Sequence, residues 1–295
     1  MSNFILSCES TVDLPFSYIN GRGLPVIFYT YNIGETQFED DMGRNDAALP
    51  DFYKKLSEGA LPTTSQINEY RYLEFFEPLV KESDLLHIVF GSGMTSSING
   101  ALSAAEQLRE KYPDRKIVII DSTCSCAGYG LLVDYAADLK DEGKSLEETA
   151  ELVENIKHNV HHQFFSTDLK YFKRSGRVSG ATATIGTVLG ICPIMHLNYD
   201  GRIIAYSKAR GKKNAVRKTV EEMLAHARDG KNYNGKFFIC HSNCEDLALQ
   251  TVAELEENFP NLKGKTKLHD IGTIIASHCG PGTVAIFFIG DERAK

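Results

Sequence analysis

Along the first half of the chain, apolar residues alternate between continuous short runs and helical spacing. The run around Phe4-Ile5-Leu6 predicts a strand over residues 3–8, followed by the polar turn Ser10-Thr11-Val12-Asp13, and a second strand is expected near 24–31. Phe52, Tyr53 and Leu56 fall on one helical face within 46–58, and 67–81 reads as another helix. Asp84-Leu85-Leu86-His87-Ile88-Val89-Phe90 has the length and apolar content of a buried strand. A helix over 96–112, a strand over 116–120 and a helix over 127–142 follow, the last turning Leu131, Leu132, Tyr135 and Leu139 inward. Gly143 suits the residue just past that helix, and Ser145 with Glu148 forms a capping box for the next, which runs to about 159. Such alternation predicts a parallel sheet covered by helices, with ligands gathered at loops beyond the strands' carboxyl ends.

The second half has another rhythm. Residues 180–189 are small and apolar enough for a helix, and 193–197, Asp200-Gly201 and 202–209 read as a hairpin. A helix over 213–228, a strand over 236–241, a helix over 245–258 and strands near 265–270 and 284–289 complete the chain. The expected fold class is therefore α/β in two domains: 1–160 around a parallel sheet, and 161–295 around a mixed sheet. The boundary falls between His158 and Phe165.

Composition narrows the function. With 42% hydrophobic and 24% charged residues the chain is ordinary globular material. Its most apolar stretch, 181–197, is broken by Thr182, Thr184, Gly186, Thr187, Gly190 and Pro193, so no membrane span is expected. The first residues lack a basic, then apolar, leader, and the cytoplasm is the expected location. Net charge of −7 argues against a nucleic-acid binder. Two basic clusters stand out locally: Lys170, Lys173, Arg174 and Arg177, and then Lys208, Arg210, Lys212, Lys213, Arg217 and Lys218. Each is either a solvated face or a docking surface for an acidic partner or phosphate. Seven cysteines, an odd count without a secretion signal, read as reduced thiols. Cys240-His241-x-x-Cys244 lacks a second ligand pair, and adjacent His161-His162 do not share a helix face, so no metal or other cofactor is expected.

Two junctions are rich in hydroxyls: Thr63-Thr64-Ser65-Gln66 before the helix from 67, and Ser92-Gly93-Met94-Thr95-Ser96-Ser97 after the strand ending at Phe90. Free backbone N–H groups and a helix dipole at each suit an anion, although simple capping uses the same residues. No Gly-Lys-Ser/Thr ending marks a phosphate loop, and no Gly-x-Gly-x-x-Gly or Gly-x-Ser-x-Gly is present. A single carboxylate, needing only a few donors, fits better than a nucleotide. His278 lies in Ser277-His278-Cys279-Gly280-Pro281-Gly282, which reads as a tight turn.

Six segments, taken in order, resemble the DegV family of bacterial fatty-acid-binding proteins, which includes the FakB subunits of fatty acid kinase. They are Ser10-Thr11-x-Asp13-Leu14-Pro15, Thr64-Ser65-Gln66, Asp121-Ser122 with Gly128-x-Gly130-Leu131-Leu132, Gly176-Arg177-Val178-Ser179, Arg210-Gly211-Lys212-Lys213, and His278-x-Gly280-Pro281-Gly282. The resemblance implies a two-domain DegV-like fold with a lipid pocket between the domains. It implies a carrier, not an enzyme by itself, that presents one long-chain fatty acid to the catalytic subunit of a fatty acid kinase for acyl-phosphate formation. By resemblance, Thr64 and Thr95, with Ser65 and Ser96 beside them, would bind the carboxylate, and His278 would stand where phosphate is transferred. Ile185 and Leu189 would line the acyl chain, and Arg177 and Arg210 would dock the kinase. Transient contact with a membrane surface suits such a cargo. Glu9 stands where the family often has Asp, and Thr95-Ser96-Ser97-Ile98 replaces Ser-Gly-Thr-Tyr. A lipid sensor and an independent acyl hydrolase or transferase are the competing readings.

Overall fold

The computed structural model describes residues 4–178 and 190–295, so the predicted helix at 180–189, with Ile185 and Leu189, lies outside the described residues. The chain begins with β1 (Phe4–Glu9), α1 (Phe16–Gly21), β2 (Val26–Ile27), β3 (Thr30–Ile33), β4 (Thr36–Glu39), α2 (Ala48–Ser57) and β5 (Thr63–Ser65). It continues through α3 (Glu69–Glu82), β6 (Asp84–Val89), α4 (Ser97–Lys111), β7 (Ile117–Asp121), α5 (Cys126–Asp141) and α6 (Leu146–Ile156). Then come β8 (Val160–Ser166), α7 (Lys170–Ser175), β9 (Ile191–Leu197), β10 (Ile203–Arg210) and α8 (Lys212–His226). The last elements are β11 (Phe237–His241), α9 (Glu245–Asn258), β12 (Lys267–Asp270), α10 (Thr273–Cys279) and β13 (Thr283–Ile289).

β2, β1, β6 and β7 form a parallel sheet in that order. The apolar run of β6 is buried almost throughout, as a strand covered on both faces requires. A mixed six-stranded sheet runs β10-β9-β8-β13-β11-β12, antiparallel except between β11 and β12. The expected hairpin is β9–β10, with Gly201 at φ 71° in its turn. A small antiparallel sheet, β4-β3-β5, was not legible in the pattern, because its strands are three or four residues long and largely polar. The boundary region likewise proved to contain β8, whose buried His161, His162 and Gln163 hide an interior strand behind polar letters.

α5 joins the two sheets. It packs on β1 at one side and on β8, β11 and β13 at the other, and it is buried along most of its length. Gly128 and Gly130 permit this approach, since a Cβ at Gly128 would strike the His162 ring and one at Gly130 would strike Val12 O and Leu14. The expected capping box at Ser145 and Glu148 is formed in both directions. Among the described residues no helix is long and apolar enough to cross a membrane.

All seven cysteines are free; Cys244 is half-buried and the other six are buried. Burial pushes the thiols up, to about 12 for Cys124 and Cys279 and about 11 for Cys244, so the reactive thiolate is scarce at neutral pH. An aromatic disulfide reagent is expected to label Cys244 slowly in native protein and the remaining thiols only on unfolding. Prompt labelling of several thiols at pH 7 would contradict this packing.

Candidate functional site

The loop after β6 follows the carboxyl end of a central parallel strand, where ligands collect in such sheets. It is held from below by Glu9, at the end of β1. One oxygen of the Glu9 carboxylate accepts from the Tyr72 hydroxyl and the other from the Phe90 amide at 2.8 Å. Tyr129 closes the frame by accepting from Glu9 N at 2.9 Å and donating to Ile88 O at 2.6 Å. Farther along, a Cβ at Gly93 would run into the carbonyls of Asp200 and Gly201, so glycine lets the loop touch the β9–β10 turn.

Ser97, the first residue of α4, ties the loop to its neighbours. Its hydroxyl accepts from Tyr29 Oη at 2.9 Å and from Ile67 N at 3.1 Å, and lies 3.0 Å from Thr95 Oγ1. The other hydroxyl-rich junction differs from expectation. Thr64 is not at a helix start but on β5, paired with Tyr31 of β3. α3 begins later, capped by Asn68, whose side chain accepts from Arg71 N at 3.0 Å. Of these two junctions α4 alone directs its N-terminus to the site, and Thr64 contributes a hydroxyl without a helix dipole.

His278 approaches from the opposite side. It is the penultimate residue of α10, not part of a tight turn as the glycines suggested; the turn begins at Gly280, φ 65°, where a Cβ would collide with the Tyr171 ring. His278 Nε2 lies 2.8 Å from Thr64 Oγ1, while its Nδ1 is buried and has no hydrogen-bond partner among the described residues. Burial, reinforced by Arg177 and Arg174, lowers the imidazole to about 4, so the ring is neutral at physiological pH. Its folded value lies below the ordinary 6.5, so His278 subtracts stability progressively as pH falls from about 6.5 towards 4. An NMR titration of lipid-free protein is expected to place its midpoint near 4, and a bound carboxylate is expected to move it upward by favouring the imidazolium. A midpoint near 6.5 in both states would mean that the ring is solvated.

These groups surround a cavity of about 690 Å³, within the usual range for small-molecule sites. Thr64, Ser65, Thr95, Ser96, His278 and Arg177 all line it. Phe90, Met94, Phe172, Ile203, Ile274 and Ile275 supply apolar wall. Arg210 does not line it: it ends β10, exposed. Arg174, not singled out within its basic cluster, donates to Pro62 O at 3.2 Å and Ser277 O at 3.1 Å and so links β5's approach to α10. Tyr29 was also missed, a tyrosine hydroxyl within an apolar run being the available signal, while Ser97, named within its junction, proves to tie the loop down through Tyr29 and Ile67.

Known proteins share this fold. The family model described as "Uncharacterised protein, DegV family" matches residues 6–291. A DegV domain-containing protein of Clostridium perfringens is 37% identical over 296 residues, covering 99% of each chain. A solved DegV family protein of Thermus thermophilus, described for its fatty acid binding, superposes with a TM-score of 0.85 at 26% identity, covering 98% of this chain and 99% of that one. A fatty acid binding DegV family protein of Streptococcus agalactiae gives 0.83 at 26% identity over 99% and 100%.

Proposed function

The chain belongs to the DegV family, and on that premise we propose that it binds one long-chain fatty acid and presents the carboxylate to a partner kinase for acyl-phosphate formation. The observation that carries this reading is the meeting of Thr64 and His278 at 2.8 Å, with Thr95 on the same cavity wall and an apolar lining beyond. In this reading Thr64, Thr95, Ser65 and Ser96 offer donors to the carboxylate, and neutral His278 donates from Nε2 or takes up a proton as the anion arrives. Arg177, exposed at the cavity, is suited to meet the phosphates of a docked nucleotide enzyme. Arg210 would belong to a wider docking surface, outside the cavity. The lipid lies between the units 1–160 and 161–295, both of which contribute lining residues.

Energetics favour a carrier. Each buried CH2 is worth about 0.8 kcal/mol, so a long acyl chain gains roughly 10 kcal/mol gross. Each hydrogen bond to the charged head adds only about 1.5–3 kcal/mol. The wall sets affinity and the hydroxyls set orientation. A Thr–His pair could also begin acyl transfer, but a base of that kind needs its second nitrogen held by a third group. Among the described residues none holds His278 Nδ1, which weighs against an independent hydrolase or transferase.

Mass spectrometry of lipid extracted from purified, denatured protein tests the reading. A near-stoichiometric fatty acid is the expected result. Protein that arrives empty and takes up no added fatty acid would overturn it.

A further inference from the structure

Side chains alternate along β8, so its two adjacent histidines face opposite ways and do not share an ion, as the sequence suggests. His162 turns to the start of α5, where its Nε2 accepts from Ser125 N at 3.1 Å. His161 turns to the end of α8 and meets His226 and Asp291 instead. His161 Nε2 lies 2.9 Å from one Asp291 carboxylate oxygen and 2.9 Å from the Asp291 backbone O. His226 Nδ1 lies 3.1 Å from both carboxylate oxygens, and the two imidazoles stack with centroids 5.2 Å apart. One nitrogen from each ring and one Asp291 oxygen fall within 4.8 Å of one another. The backbone fixes this meeting. Asp291 N donates to His226 O at 3.0 Å, and Gly290 N donates to Asn159 O at 2.8 Å. Glycine at 290 permits the approach, since a Cβ there would strike His226 O and the His161 ring.

Three features go beyond a hydrogen-bonded clasp. Two imidazole nitrogens and a carboxylate oxygen are the donors that Zn²⁺ takes where water keeps a fourth position. Bonds of about 2.0–2.2 Å make the edge of a zinc tetrahedron about 3.3 Å, so the nitrogen–oxygen separations here need to open only slightly. The site is also reachable: His161 is held in the interior at 6% exposure, while the side chains of His226 and Asp291 are 39% and 59% exposed and free to adjust. Finally, Glu222 stands one turn back on α8 with a carboxylate oxygen 3.8 Å from His226 Nε2. Ligation through Nδ1 leaves the ring proton on Nε2, and a carboxylate behind a ligating histidine fixes that tautomer. Burial lowers the His161 imidazole and keeps it neutral, the form that offers a lone pair. We propose that His161, His226 and Asp291 bind one Zn²⁺, or another divalent ion of the imidazole-preferring class, with water completing the coordination. The ion would bolt residue 291 and the end of α8 to β8.

None of the three ligands lines the lipid cavity, so the site is independent of the lipid reading and its test needs no lipid. Chelator-stripped full-length protein is titrated with ZnCl2 against a competing indicator dye, and its thermal unfolding is followed with and without the ion. The expected result is one Zn²⁺ per chain with Kd on the order of 1 μM, weaker than a closed four-ligand site, and a rise in Tm on binding. Imidazole ¹⁵N spectra of wild-type protein identify the ligands without any variant: the His161 and His226 signals should move at one equivalent, and those of His162 should not. His226→Ala and Asp291→Asn should each weaken binding by about ten-fold or more. Asp291→Asn keeps a side-chain oxygen for the two rings but loses the charged ligand, so it should lose the Zn²⁺-dependent rise in Tm while the metal-free protein unfolds near the wild-type temperature. Cys244→Ser should leave binding unchanged. Wild-type binding weaker than about 100 μM would leave a hydrogen-bonded clasp only and overturn the proposal. So would tight binding that survives both ligand substitutions, or that Cys244→Ser abolishes.

Discussion

Thr64→Ala is expected to lower the rate of phosphorylation of bound fatty acid by about 100-fold or more, the usual cost of removing one positioned donor from developing charge. The cost in stability should be small. Thr64 is half-buried on the three-residue strand β5, and the substitution removes one hydrogen bond, to His278, worth about 1 kcal/mol. Lipid occupancy should change little, because the apolar wall supplies most of the binding energy. The comparison is made in a reconstituted assay with the kinase partner, ATP and labelled fatty acid, beside urea unfolding of the same preparations. Thr63→Ala is the control: side chains alternate along a strand, and Thr63 is exposed and outside the cavity lining. A Thr64→Ala rate within about two-fold of wild type, with lipid still bound, would remove Thr64 from the reacting end, since a lost donor of this kind costs far more.

What could be read in advance follows from how far each feature reaches along the chain. The strands of the parallel sheet are continuous apolar runs, and the helices between them carry a 3.6-residue stripe, so local pattern sufficed for α3 to α6 and for the β9–β10 hairpin. Features fixed by distant neighbours were hidden. α10 was taken for a turn because glycine and proline follow it closely, although Thr273–Cys279 is helical and buried on most of its face. β8 carries two histidines and a glutamine into the interior, where His162 Nε2 accepts from Ser125 N at 3.1 Å and Gln163 Oε1 accepts from Tyr206 Oη at 2.9 Å. Such polar pairs leave no periodic trace. Resemblance supplied the association of Thr64, Thr95 and His278, since nothing local relates residues 214 positions apart. It left Tyr29 unnoticed, and it did not separate Ser97 from the other hydroxyls of its junction as the one that ties the loop to Tyr29 and Ile67.

Glu9 provides the largest expected stability effect. It is fully buried at the end of β1, in the position where the family often carries aspartate, and its two oxygens serve different partners. Glu9→Ala would strand the Tyr72 hydroxyl and the Phe90 amide in a water-free interior and leave a void beneath the loop. A loss of about 3–5 kcal/mol is expected, from two stranded buried donors at about 1–3 kcal/mol each with the void added. Glu9→Asp keeps the carboxylate but withdraws it by one methylene, so it cannot reach both partners in this backbone; about 1–3 kcal/mol should go with whichever bond is lost. Tyr72→Phe, which leaves the Phe90 bond in place, should cost less than Glu9→Ala, and the double variant should cost much less than the sum because the two groups share one interaction. Urea unfolding of the four variants beside wild type measures these differences directly. The same series reports on the site, since the loop that Glu9 supports carries Thr95 and Ser96: at temperatures where Glu9→Asp remains folded, its lipid should be held with faster exchange than in wild type. If Glu9→Ala instead costs under about 1 kcal/mol, the penalty of a stranded buried donor is absent. The loop's position would then rest on its other ties, among them Ser97 with Tyr29 and the contact of Gly93 with the β9–β10 turn.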